Sequence, residues 1–99
     1  MKKYIVLLEP VKRGTNEIGY CDPTIEEEFA NHEEAKKRYD EIDVEAWYQH
    51  LVRGDKKKHY FQKSLASQEY ELDEDGDLLW DDFLDFLETE EAGKDDENI

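Results

Sequence analysis

Apolar positions along the chain follow different periods in different stretches, and each period predicts an element. Tyr4 to Leu8 is an unbroken apolar run of β-forming residues stopped by Pro10, the pattern of a central strand covered on both faces. Gly14, Asn16 and Gly19 then mark a loop, and Ile25 to Phe29 suit a short second strand. Asn31 opens a capping box with Glu34, with Glu33 also in the first turn. Behind it Ala35, Tyr39, Ile42 and Ala46, continued by Trp47, His50 and Leu51, recur at helical spacing, and Gly54 is placed to end the element. The expectation is one long helix over about 32–53, divisible near Asp43.

From residue 59 to 67 the pattern is ambiguous, because Phe61 and Leu65 suit one face of a helix while the Tyr and Phe content suits a strand. Beyond Gln68 it sharpens into a hairpin. A three-residue loop of Glu74, Asp75 and Gly76 sets Leu72 opposite Leu78 and Tyr70 opposite Trp80. A two-residue Asp75-Gly76 turn would instead set Leu72 opposite Leu79 and Tyr70 opposite Asp81, so the apolar pairing favours the longer loop. After Trp80, the residues Phe83, Leu84, Phe86 and Leu87 alternate with Asp81, Asp82, Asp85 and Glu88 at helical spacing, and Gly93 follows. That predicts a C-terminal amphipathic helix over about 81–91. The expected fold class is α+β, a small antiparallel sheet of three or four strands packed against the long helix and the C-terminal one. Residues 1–92 form the single domain and 93–99 a flexible acidic tail.

Length and composition bound this picture. A chain of 99 residues holds one modest core, since domains of this size bury only about 60–70 % of the surface that the unfolded chain exposes. The chain is 41 % charged, yet 37 % hydrophobic with six Tyr, four Phe and two Trp, so a core can form. The lone cysteine, Cys21, excludes an intramolecular disulfide and a cysteine-rich zinc site and fits a reducing compartment. Lys2 and Lys3 precede Tyr4 to Leu8, but that run is too short for a signal sequence. No stretch approaches the ~18 apolar residues of a membrane span, so the expectation is a cytoplasmic protein without membrane contact.

Charge changes the picture more than composition does. Of the net −15, residues 1–63 carry 13 acids against 12 bases, whereas residues 64–99 carry 15 acids against Lys94 alone. A near-neutral body thus ends in a segment of net −14. This asymmetry points to a basic partner surface and argues against direct nucleic-acid binding, which needs clustered Lys and Arg. The one basic cluster joins Arg53, Lys56, Lys57, Lys58 and Lys63 with His59, Tyr60 and Phe61. It could stack single strands, but a solvated loop or a dock for the chain's own acidic end is the plainer reading.

Candidate chemistry is sparse. Five dispersed glycines form no phosphate-binding loop, the three histidines (His32, His50 and His59) are unclustered, and nothing matches a nucleophile elbow or a zinc-protease helix. The expectation is therefore a protein with no catalytic residues and no cofactor. Glu71, Asp73, Asp75, Gly76, Asp77, Leu78 and Asp82 fall at the spacing of a calcium loop, and over about a dozen residues this resembles an EF-hand. Glu71 stands where that family has Asp, and Asp82 where it has a bidentate Glu. The resemblance would make Glu71, Asp73, Asp75, Asp77 and Asp82 calcium ligands and Phe83 and Leu84 the start of the exiting helix. The leading expectation is instead a binding face for a basic protein surface, drawn from Glu69, Glu71, Asp73, Asp75, Asp77, Asp81, Asp82, Asp85 and Glu88 with Trp80, Phe83 and Phe86. In size and charge such a chain is similar to the acidic nucleic-acid mimics and nuclease inhibitors of phages and mobile elements, which implies a nucleic-acid-binding protein as partner. The alternatives are an interaction module presenting an acidic-aromatic helix and a housekeeping domain. The chain itself is expected to be a monomer or weak dimer.

Overall fold

The computed structural model describes residues 1–14, 23–81 and 83–94. In chain order these form β1 (Lys2–Lys12), β2 (Ile25–Phe29), α1 (His32–Glu41), α2 (Val44–Gln49), α3 (Arg53–Lys58), β3 (His59–Leu72), β4 (Leu78–Asp81) and β5 (Asp85–Ala92). The protein is α+β, with one antiparallel sheet of five strands. The strands run in the order β2-β1-β3-β4, and β5 pairs with the same flank of β3 as β4 does, further toward the start of β3.

The apolar run expected to make a central strand does so. Its alternate side chains Val6 and Leu8 face α1 and α2, joined by Leu65 from β3 and by Ala35, Tyr39, Ile42, Val44 and Tyr48 from the helices, all buried. The opposite positions Ile5, Leu7, Ser64 and Ala66 are buried too. Pro10, expected to stop the strand, lies inside it opposite Phe61. The β1–β2 pairing ends at Leu8 and Ile25. On that flank no described strand remains at Pro10, and its ring nitrogen leaves no ladder bond unmade.

In place of one long helix, the region 32–53 holds two short ones, α1 and α2, divided near Asp43, and Gly54, expected to end the helix, lies inside α3, which begins at Arg53. Asn31 caps α1 as its position predicts, its side-chain oxygen accepting from the Glu34 N–H at 2.9 Å. The break comes at Ile42, whose backbone is extended, and Asp43 then caps α2 by accepting from the Ala46 N–H at 3.1 Å. An Asp that can satisfy the free N–H groups of a new helix competes with continuing the old one. The exposed carbonyls of α1 are met from the sheet. Lys63, buried in β3, donates from Nζ to the oxygens of Tyr39 and Ile42 at 3.0 Å each and lies 4.2 Å from the Tyr39 ring centre. A cation is well placed there, at the negative end of the helix dipole. Arg13, just after β1, closes the other end of the sheet: Nε donates to Lys56 O at 2.7 Å, Nη2 to the Tyr48 hydroxyl at 3.0 Å and Nη1 to Lys94 O at 3.2 Å.

The C-terminal helix over 81–91 is absent. Residues 78–81 and 85–92 are strands laid along β3, with bulges where the register shifts between Leu65 and Ala66 and between Glu71 and Leu72. Leu87 is the extra residue at the first bulge, since Phe86 pairs with Ala66 and Glu88 with Leu65. Local periodicity favoured a helix, but β3 is 14 residues long and needed a partner along its whole free flank. Of the expected tail at 93–99 all but Gly93 and Lys94, together with the loop positions Asn16 and Gly19 and Cys21, lie outside the described residues.

Candidate functional site

The end of β3 and β4 form an arm that extends beyond the helices. The molecule measures 54 × 25 × 18 Å, and its radius of gyration of 15.3 Å exceeds the ~13 Å of a compact chain of about this length. The turn at the arm's tip is built by Asp73. Its Oδ1 accepts the N–H groups of Asp75 and Asp77 at 2.9 Å each, its own N–H donates to Asp77 O at 2.8 Å, and Gly76 adopts φ +86°. This is an Asx-type turn, with Gly76 at the left-handed position. Leu72 faces Leu78 as the three-residue loop predicts. The expected Tyr70–Trp80 pair does not form, because Leu79 is taken up in the bulge; Trp80 stands opposite Glu71 and Tyr70 opposite Asp81. The Trp80 indole N–H instead donates to Glu71 Oε2 at 2.6 Å. At its base the arm is tied to the chain start by paired backbone bonds, Tyr70 N to Met1 O and Met1 N to Tyr70 O, each 2.8 Å.

The acids at the C-terminal end divide into two groups that the sequence treats alike. The three glutamates of β5 are neutralised within the molecule: Glu88 by Lys36 at 2.8 Å, Glu90 by Lys63 at 3.3 Å and Glu91 by Lys94 at 3.3 Å. Bonds to Glu88 and Asp40 hold the Lys36 pKa above the ordinary lysine value. By contrast Glu69, Glu71, Asp73, Glu74, Asp75, Asp77, Asp81 and Asp85 enter no ion pair among the described residues. All of these are exposed except Asp73, which is half-buried. Asp82 lies outside the described residues.

Apolar surface gathers on the same element. Leu72, Leu78, Leu79, Trp80 and Phe83 there, and Phe86 and Leu87 on β5, are all exposed, with Trp80 at 49 % and Phe83 at 94 %, and among the other described residues only Met1, Trp47 and Val52 are exposed large apolar ones. This is a concentration of exposed apolar side chains interleaved with carboxylates, not single scattered exposure. Of the expected face, the structure therefore brings together Glu69, Glu71, Asp75, Asp77, Asp81, Asp85, Trp80 and Phe83 along the arm and the turn after it. It commits Asp73 to the loop and Glu88 to Lys36.

The calcium reading loses two of its parts. Asp73 spends its carboxylate on backbone N–H groups, and the residues that would begin an exiting helix lie between two strands. No three His, Cys, Asp or Glu side chains among the described residues converge as metal ligands. The basic cluster is also redistributed. Lys63, Tyr60 and Phe61 are buried in β3, while Arg53, Lys56, Lys57 and Lys58 lie on α3. Sequence reasoning missed Lys63 and Arg13 as organising cations. The trace of Lys63 was there to read: in a strand, Phe61, Lys63 and Leu65 share a face, so a lysine was bound to point inward. No family model matches the chain, and comparison with curated proteins and with solved structures finds no relative. No helix among the described residues is long and apolar enough to cross a membrane.

Proposed function

We propose that this chain is a non-enzymatic binding protein whose β3–β4 arm engages a basic partner surface, imitation of a nucleic-acid backbone being its most concrete form. The observation that supports this is the division of the acids: the three β5 glutamates are paired internally, while the carboxylates of the arm stand exposed and outside any ion pair among the described residues, beside exposed Trp80 and Phe83. Unpaired surface carboxylates steer a cationic partner and set its orientation, and aromatic side chains supply the contact energy. We read this binding as cytoplasmic, which a single cysteine fits.

The test is capture of partners from a lysate with wild type and with a variant carrying Glu69→Gln, Asp75→Asn, Asp77→Asn and Asp81→Asn. These side chains make no contact that holds the fold, so the unfolding midpoint should stay within a few degrees of wild type. Capture should be lost both in the variant and at about 1 M salt, where the Debye length is ~3 Å. Equal capture by wild type and variant would end the proposal.

A further inference from the structure

The surface complementary to the acidic arm exists on this same chain, at the other end. α3 directly precedes the first residue of β3 and the arm includes its last, so about 40 Å of strand separates them, in a body 54 Å long. On α3, Arg53, Lys56, Lys57 and Lys58 enter no ion pair among the described residues. Beside them Val52 is 66 % exposed and Trp47 on α2 is 40 % exposed. Unpaired cations with an apolar patch thus occupy one pole, and unpaired carboxylates with Trp80 and Phe83 occupy the other. Within one molecule the two cannot meet, because the stiff length of β3 holds them apart.

We infer that the arm of one copy docks on the α2–α3 end of a second copy, head to tail. The inference rests on the reading of the arm as a binding element. Charge selects this arrangement among self-contacts: arm against arm would face carboxylate with carboxylate, and α3 against α3 would face cation with cation, whereas arm against α3 matches both sign and apolar surface. The interface is heterologous, so each added copy leaves a free arm and a free α3 and growth does not stop at two. A contact this narrow belongs with the small, weak interfaces, with a dissociation constant on the order of 10⁻⁴ M.

Salt dependence distinguishes this contact. At about 0.01 M salt the Debye length is ~30 Å, long enough for whole chains of net −15 to repel one another. At 0.15 M it is ~8 Å and only the facing patches interact, and at 1 M their attraction is screened as well. Association should therefore be strongest near 0.15 M and weaker at both extremes. An apolar contact alone would strengthen steadily with salt.

The experiment is sedimentation equilibrium of the full chain from about 10 μM to 1 mM at those three salt concentrations. Two charge-reversed variants accompany it, Arg53→Glu with Lys57→Glu, and Asp75→Lys with Asp77→Lys. In 0.15 M salt the wild-type average mass should rise with concentration without levelling at two copies. Each variant alone should associate at least about tenfold more weakly, and an equimolar mixture of the two should recover association because both ends then find an opposite charge. The milder pair Arg53→Gln and Lys57→Gln serves if reversal perturbs folding. Self-association that levels at a dimer or is indifferent to α3 charge overturns the inference. So does a chain that stays monomeric at 1 mM. If that monomer still captures a cationic partner through its arm, the function proposed above stands without it.

Discussion

Two glycines with the same backbone angle show how differently one residue can matter. Gly76 and Gly93 both have φ +86°, where any L side chain is strained by about 1 kcal/mol or more. At Gly76 the space around a new Cβ is open, whereas at Gly93 it would fall inside the Tyr48 ring. Tyr48 is buried and bonded to Arg13, so it cannot swing away cheaply. Gly76→Ala should then cost about 1 kcal/mol and Gly93→Ala roughly 3 kcal/mol, the difference being the displaced ring. Denaturant midpoints measure both, and equal costs would mean that the ring yields. Ionisation at single residues gives a second prediction. Burial raises the pKa values of Tyr39 and Tyr60, reinforced by Glu90 and Glu88 at Tyr39 and by Glu91 at Tyr60. A folded-state pKa above the unfolded one, near 10, makes the folded protein hold its proton longer. That stability is fully present below about pH 10 and is lost as pH rises through the raised values. Thermal midpoints should fall above pH 10, and the fall should be shallower in Tyr39→Phe.

Among the elements, those stated by local chemistry were legible in the sequence. Asn31, Asp43 and Gly76 carry their instructions in one side chain or its absence, and β1 and β2 follow from short runs of β-forming residues. Elements decided by distant partners were not. Phe83, Leu84, Phe86 and Leu87 have a helical period, yet the flank of β3 takes them as strand, and a bulge at Leu87 absorbs the mismatch. The same bulging at Leu79 replaces the expected Tyr70–Trp80 pair with a Trp80–Glu71 hydrogen bond. The candidate face was legible as a charge total, but which acids are free depends on Lys36, Lys63 and Lys94 reaching β5 from three parts of the chain, and no periodicity encodes that. The arm's loop also bears on the calcium reading. Asp73 Oδ1 accepts the Asp75 and Asp77 N–H groups, and β5 follows Phe83 and Leu84 where the resemblance put an exiting helix, so a calcium-selective response is not the expectation. Millimolar calcium and magnesium should perturb Trp80 fluorescence equally and slightly, and the response should vanish in ~0.15 M salt. A saturable, calcium-selective change at micromolar concentration would reverse this conclusion.

At the scale of the whole molecule, the sheet is stabilised unevenly along its length. Over the first part of β3, α1 and α2 cover one face, β1 and β5 flank both sides, and Leu65 and Ala66 are wholly buried. Beyond Gln68 the β1 ladder runs out at Lys2 and Glu69, and β4 is a strand of four exposed residues paired to β3 alone. A two-stranded ribbon is at best marginally stable by itself. Little apolar area is removed from water there, and seven or more uncompensated carboxylates repel one another. What retains the arm is its continuity with β3, the Asp73 turn and the backbone pair of Met1 with Tyr70. Local opening of the arm should therefore cost far less free energy than global unfolding, which is the only way to expose the amides of 62–66. In native-state hydrogen exchange, amides of 70–72 and 78–81 should exchange at least about a hundredfold faster than those of 62–66. Raising salt should slow exchange in the arm more than elsewhere, because screening relieves repulsion where carboxylates are most concentrated and no cation is interleaved with them. A uniform exchange profile, or arm amides indifferent to salt, would mean that the arm is held by the body rather than by its own turn. A protected arm would also be a rigid blade, whereas the labile one expected here orders fully when a partner covers Trp80 and Phe83 and neutralises the carboxylates around them.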